Sequence, residues 1–370
     1  MKASRYKNIA VKIGSNVLTR RDGTLDVTRM SALVDQIAEL HAAGMRVVIV
    51  SSGAVAAGRS ELRCITGLDS VSSRQLYSAV GQAKLINRYF ELFRDRGLAC
   101  GQVLTTKENF ATRRHYLNQK HCMEVMLDNN VIPVVNENDT VSMTELMFTD
   151  NDELSGLLAT MMGCEALVIL SNIDGVYTGD PAEPSSRLIP VIGDGFDASG
   201  MISANRSSLG RGGMATKYRT AAKLASEGVA VMIANGKREG VLTSLMGLGP
   251  EVPHTLFRPS PVPATGVKKW IAHSEDFAKG VVRVNAGAAE ALLSPSGASL
   301  LMVGVESVEG DFEKDDIVQV VDPQGEVIAW GRVGLDASRA REAVGSRGKR
   351  PLIHCDYLYI DSSAKSPFMP

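Results

Sequence analysis

The sequence predicts an α/β protein in which a mainly parallel sheet is sandwiched by helices, followed by a small β-rich domain. Three observations predict it. From Asn8 to about Asn235, short runs of strand-forming residues alternate with segments of helical period, the pattern of strands joined by crossover helices. The runs are apolar throughout, as strands covered on both faces are. Beyond a cluster of prolines at 250, 253, 259, 261 and 263, short alternating segments take over, separated by Gly, Asp and Pro turns.

Taken in order, strands are expected at residues 9–13, 46–50, 101–104, 131–135, 166–170 and 229–233. Between the first two, Met30, Leu33, Val34, Ile37 and Leu40 recur on one helical face, and Gly44 stands where a C-terminal cap belongs. Further helices are expected at 79–93, 116–127, 154–162 and 215–226, their apolar stripes facing the core. A chain of 370 residues favours two domains. The prolines mark the boundary near 250–277, giving a first domain over 1–257, a linker over 258–277, a β-rich barrel over 278–356 and a tail over 357–370.

Several classes drop out. The longest apolar runs, such as Val47 to Val50, are too short to cross a membrane, and the N-terminal MKASRYKNIAVKIGS lacks the apolar stretch of a signal peptide. A cytoplasmic protein without membrane attachment is expected. The five cysteines stand far apart, without a C-x-x-C pair or a histidine at zinc-ligand spacing, so reduced, mostly buried thiols and no metal cage are expected. His115 and His121 are six apart, which does not align them on one helical face. A net charge of −1 gives no global attraction for nucleic acid, so any anion site must be local.

In an open parallel sheet, ligands bind beyond the carboxyl ends of the strands. There the chain reads Lys12-Ile13-Gly14-Ser15-Asn16, Ser51-Ser52-Gly53-Ala54, Asn136-Glu137-Asn138-Asp139 and Ser171-Asn172-Ile173-Asp174-Gly175. Asp150-Asn151-Asp152 opens a helix as a cap cluster, and Gly210-Arg211-Gly212-Gly213-Met214-Ala215-Thr216-Lys217 is a glycine-rich anion cradle ending in a lysine. Each alone has a plainer reading as a solvated lysine, a turn, a cap or a loose loop. Together, two lysines, glycine-rich turns and carboxylates at one sheet edge are what phosphoryl transfer needs, because its loose transition state is handled by positioning and charge neutralisation. Neither G-x-x-x-x-G-K-[ST], G-x-G-x-x-G nor G-x-S-x-G is present, so P-loop, dinucleotide and serine-hydrolase readings have no anchor.

VKIGSNVLT, VIVSSGAVAAGR, AVGQAKL, VIPVVNENDTV, DNDELS, DGVYTGDP and GRGGMATK, in this order, resemble the amino acid kinase superfamily in its glutamate-phosphorylating branch. The resemblance covers nearly the whole chain, and residues 278–356 are similar to the PUA module. It implies ATP with Mg²⁺ as phosphoryl donor and L-glutamate as acceptor, in the first step of proline formation. Lys12 and Lys217 would contact the phosphates, oriented by Asp152. Ser52, Asp139 and Asn151 would hold glutamate, with Asp150 beside them. Ser171, Asn172, Arg211, Gly212, Gly213, Met214, Ala215 and Thr216 would line the nucleotide site along with both lysines. Proline as feedback inhibitor is implied too; a homo-oligomer is expected, and the reactivity of the acyl phosphate product leads to an expected hand-over to glutamate-5-semialdehyde dehydrogenase.

A glutamate side chain, with an ordinary pKa of about 4.3, is already ionised near neutrality, so no catalytic histidine is required. Departures from the family pattern are Asn16 for a serine, Ser171-Asn172 for Thr-Asp, Arg211 for a threonine, Asp315 for a glycine and Asn285 for an aspartate. PUA-like modules often bind RNA, but nine Lys and Arg against twelve Asp and Glu over 278–356 give a net −3. That is no nucleic-acid footprint, and RNA binding is not expected.

Overall fold

The computed structural model describes residues 6–62, 67–111, 113–141, 151–193, 213–261, 271, 278–294, 298–348 and 350–360. The chain divides into two compact units, one of Met1–Lys107 with Lys120–Pro263, the other of Glu108–Gln119 with Ala264–Pro370.

The first unit is built on strands β1 (Asn8–Ile13), β2 (Arg46–Ser51), β3 (Ala99–Thr105), β4 (Val131–Glu137), β5 (Ala166–Ser171), β6 (Val191–Ile192), β7 (Ala230–Asn235) and β8 (His254–Phe257). They form one sheet in the order β3-β4-β2-β1-β5-β7-β8-β6. Every neighbouring pair is parallel except β7 with β8. Its helices are α1 (Ser15–Leu18), α2 (Val27–Ala42), α3 (Ala54–Glu61), α4 (Ser70–Arg94), α5 (Glu108–Ala111), α6 (Arg113–Asp128), α7 (Asn151–Met161), α8 (Met214–Ser226) and α9 (Val241–Leu245), of which α5 and the start of α6 fall in the second unit.

The central strands are Val- and Ile-rich because both faces are covered. Ile9, Val11 and Ile13 enter one core with residues of α2, α4 and α9, while Ala10 enters another with residues of α7 and α8. Side chains alternate along a strand. Lys12 therefore falls on the Ala10 face, the face that α7 and α8 cover. Period two thus decides which helices a strand-end lysine can meet.

Asp26 caps α2 by accepting from Arg29 N at 3.1 Å, and Gly44, at φ +86°, ends that helix. Helix α4 starts nine residues before the segment that periodicity marks out. Its first turns carry Ser, Arg and Gln in place of an apolar stripe, yet Asp69 caps them by accepting from Val71 N and Ser72 N at 2.8 and 2.9 Å. Helices α3 and α4 meet backbone to backbone. A Cβ on Gly58 would lie 1.8 Å from Tyr77 O, and one on Gly81 1.7 Å from Ala54 O. Only glycine admits that approach.

Strands β6 and β8 are additions to the six expected. The first has two residues, and the second follows Pro253 in a stretch too short to show a period. Among the described residues, no helix is long and apolar enough to cross a membrane. Of the four described cysteines only Cys164 is buried, and Cys122 is exposed, which corrects the expectation of mostly buried thiols. Cys122 lies on the outward side of α6, between exposed His121 and buried Met123.

The second unit contains β9 (Gly280–Val284), β10 (Leu300–Leu301), β11 (Val305–Gly310), β12 (Ile317–Val321), β13 (Val327–Arg332), β14 (Pro351–Ile353) and β15 (Leu358–Ile360), with helices α10 (Ala286–Leu293) and α11 (Ala337–Ala343). A mixed sheet in the order β11-β9-β12-β13-β15 and a β10-β14 ladder share one apolar core. Two departures noted in the sequence find physical reasons here. Asn285 caps α10 by accepting from Ala288 N at 2.9 Å, which an amide oxygen does as well as a carboxylate. Asp315 takes φ +77°, the left-handed conformation that glycine adopts freely, and its carboxylate pairs with Arg332 at 3.1 Å.

Candidate active site

Three charged side chains from distant parts of the chain meet where β1 ends. Lys12 Nζ lies 2.5 Å from Asp152 Oδ1, and Lys217 Nζ donates to Asp152 Oδ2 at 2.8 Å. Asp152 is fully buried, and the lysines are only 5% and 8% exposed. Burial pushes the Asp152 carboxyl upward, but the two ammonium groups outweigh it and leave the pKa below the ordinary carboxylate value. The cluster is a carboxylate clamping two cations, each oxygen fixing one of them. Asp152 sits in the first turn of α7, where the helix dipole also favours a negative charge.

Beside this clamp further polar side chains are tied together. Asn151 Nδ2 donates to Ser52 Oγ at 2.9 Å and to Asn136 Oδ1 at 3.1 Å, tying the start of α7 to the ends of β2 and β4. At the end of β4, Asp139 accepts from Arg74 Nε at 2.7 Å and from Ser78 Oγ at 3.2 Å. Arg74 Nη2 also donates to Glu137 Oε2 at 3.1 Å. Lys107, buried just past β3, pairs with Glu153 of α7 at 3.5 Å. The sequence marks Glu137 as part of the strand-end segment 136–139, but gives Arg74, Ser78 and Lys107 no such mark. Spacing offered one signal: residues 74, 78 and 82 are four apart on one face of α4, and all three bond to the β4 end, Gln82 Nε2 donating to Glu137 O at 3.2 Å.

On the other side, Gly213 precedes α8 with extended backbone and has no side chain to cap it, the kind of helix start at which amides can receive an anion. Thr216 Oγ1 turns back to donate to Gly213 O at 2.8 Å. Helix α3 likewise starts on an uncapped glycine, Gly53 at φ +107°. Between β1 and β5, Gly14 N donates to Leu170 O at 3.2 Å, and a Cβ there would meet the same oxygen at 3.1 Å. Past β5, Ser171 is buried and Asn172 exposed, with Ser171 Oγ 3.4 Å from Asn172 Oδ1. Next to them Arg238 grips Asp174 through Nε and Nη2 at 2.6 and 2.7 Å, which holds the Asp174 carboxyl below its usual range.

Of the expected site residues, the structure brings together Lys12, Asp152 and Lys217 in one cluster and Ser52 with Asn151 in another. Asp139 stands with Arg74 at the β4 end. Asp150, Arg211 and Gly212 lie outside the described residues. In the second unit, His354, Cys355 and Asp356, consecutive in the chain, place their side-chain ligand atoms within 4.8 Å of one another. His354 Nδ1 accepts from Asp356 N at 3.2 Å, so it caps a single turn.

A mainly parallel sheet whose carboxyl ends gather a clamped lysine pair, a glycine-led helix and a group of ordered carboxylates is the arrangement of a small-molecule phosphotransferase. The Amino acid kinase family matches residues 7–235 and the PUA domain residues 280–352. A glutamate 5-kinase of Bacteroides thetaiotaomicron is 60% identical over 96% of this chain and 99% of its own length. Those of Chlorobaculum tepidum and Chromohalobacter salexigens are 43% and 39% identical, each over 96% of this chain and over 98% and 96% of their own. The chain belongs to the amino acid kinase family and, within it, to the glutamate 5-kinases.

Proposed function

We propose that this chain transfers the γ-phosphate of ATP to the side-chain carboxylate of L-glutamate, giving L-glutamate 5-phosphate, the first step of proline formation from glutamate. The observation that carries the chemistry is the pair of buried lysines fixed on one carboxylate. Bringing an anionic carboxylate against a polyanionic phosphate is the barrier, and pre-placed ammonium groups lower it without reorganising during the reaction. Lys12 and Lys217 neutralise the charge that moves between donor and acceptor, and Asp152 holds both in place. Identity with the glutamate 5-kinases along the whole chain supports glutamate as acceptor.

Ser52, Asn151 and Asp139 hold the acceptor in this reading, Asp139 facing its ammonium group, with Asp150 alongside. The first amides of α8, Ser171, Asn172 and residues 211–217 receive the nucleotide. Bound together with ATP, Mg²⁺ would supply further positive charge at the phosphates beside Lys12 and Lys217. With the reading go a cytoplasmic homo-oligomer, proline as feedback inhibitor and hand-over of product to glutamate-5-semialdehyde dehydrogenase. A catalytic part over 1–257, a linker over 258–277, a PUA-like part over 278–356 and a tail over 357–370 complete it.

A coupled assay of ADP release with glutamate, aspartate and N-acetylglutamate tests the acceptor. Aspartate, one methylene shorter, is expected to lose about a hundredfold in kcat/KM, and the acylated amine more. Turnover on another acid alone would overturn the assignment. In the same assay Lys217→Ala is expected to lower kcat roughly a thousandfold while the KM for ATP changes little, because the ammonium acts mainly on charge developing in the transition state. Unchanged turnover would remove Lys217 from the mechanism.

A further inference from the structure

The geometry points to Arg74 as a positioning residue for the acceptor, one that sets discrimination for the amino group of glutamate by fixing the carboxylate of Asp139. This rests on the glutamate reading above. Arg74 reaches Asp139 Oδ1 with Nε at 2.7 Å and with Nη2 at 2.5 Å, and the same Nη2 lies 3.1 Å from Glu137 Oε2. Ser78, one turn on, holds the other oxygen of Asp139 at 3.2 Å. Both carboxylates are buried, and the Arg74 side chain is itself only 21% exposed.

Two carboxylates two residues apart in the chain repel when both are ionised in a buried setting, and a lone one is costly to desolvate. A planar guanidinium between them relieves both problems and fixes their orientation, which a mobile ammonium on a longer stem does less well. Held at Oδ1 by Arg74 and at Oδ2 by Ser78, Asp139 has one orientation while its remaining lone pairs stay able to accept from a substrate ammonium. Gln75, whose Nε2 donates to Thr140 O at 3.1 Å, and Gln82, bonded to Glu137 O, pin the backbone on either side. Helix α4 thus lays four polar side chains against one short segment. The phosphate clamp is built separately, on β1, α7 and α8. Loss of Arg74 should therefore reach glutamate through its amino group and leave ATP alone.

The experiment compares the wild-type enzyme with Arg74→Ala and Arg74→Lys, measuring KM for glutamate, KM for ATP, kcat, and inhibition by glutarate. Glutarate keeps both carboxylates of the acceptor and lacks its amine. Arg74→Ala is expected to raise the KM for glutamate at least about tenfold, in line with losing one charge-assisted hydrogen bond, while glutarate inhibition and the KM for ATP move less than twofold. Arg74→Lys is expected to fall between. Equal loss for glutamate and glutarate would make Arg74 a structural strut and overturn the inference, as would an unchanged KM for glutamate. Circular dichroism and the KM for ATP report whether Arg74→Ala folds. If it does not, Arg74→Lys decides by the same ratio of glutamate to glutarate. Failure of the glutamate reading itself shows in the wild-type enzyme, before any variant is compared.

Discussion

Asp152→Asn is expected to lower kcat by roughly a thousandfold or more, the largest effect of any single substitution in the site. The side chain keeps its shape but can no longer accept from two ammonium groups. Its amide nitrogen would face one lysine donor to donor, and Lys12 and Lys217 would be left as like charges with little solvent around them. Losing pre-placed charge at the transferring group costs roughly 4 kcal/mol in the barrier, a thousandfold in rate. The assay is the coupled measurement of ADP release at saturating substrates, and a kcat within tenfold of wild type would sink the clamp as a catalytic device.

The same substitution has a signature in stability against pH. The pKa of Asp152 is lowered on folding, so the cluster contributes stability that is fully present above the ordinary carboxylate value of 3.8 and is lost as pH falls through the lower folded value. Thermal unfolding of the wild type therefore carries an acid limb from this group. Asp152→Asn should lose that part of it, while the remaining carboxylates keep theirs.

Gly81→Ala is expected to have the largest effect on stability. An added Cβ would fall 1.7 Å from Ala54 O and 2.5 Å from Gly58 N, both backbone atoms that no rotamer change can move away. Helices α3 and α4 must separate, at a cost of roughly 3 kcal/mol or more. In a unit of this size that lowers the melting temperature by about 6–12 °C. Because α4 also carries Arg74, Ser78 and Gln82, the KM for glutamate should rise in whatever enzyme still folds. A melting temperature unchanged within a degree would mean the crossing is looser than these distances say.

The two levels of the molecule were unequally legible from the sequence. Strands such as β1 and β5 announce themselves because both faces are covered and nearly every residue must be apolar. Lys12 and Lys217 stand out because each is polar where an apolar strand or a glycine-rich turn gives way to a helix, and Asp152 because it belongs to a cap cluster that opens one. Arg74 gave no such sign. Its helix opens with polar turns facing the β4 end, so the hydrophobic stripe that betrays α4 begins only after the functional residues have passed. Asp69, a capping residue one step ahead of Ser70, was the local clue to the true start. Strand β8 was hidden for another reason. It runs antiparallel at the far side of the sheet, is four residues long and follows a proline, so neither length nor period separates it from a linker.

The clamp on Asp152 also ties activity to the order in which the polypeptide is made. Its three members come from a strand near the start, a helix in the middle and a helix beginning at Met214, and each pairing spans more than sixty residues. Contacts so far apart in sequence form late, after the chain between them has been confined. A chain that ends before Met214 lacks Lys217 and so cannot complete the clamp. The clamp therefore needs β1, α7 and α8 together, elements spread from one end of the first unit's sequence to near the other.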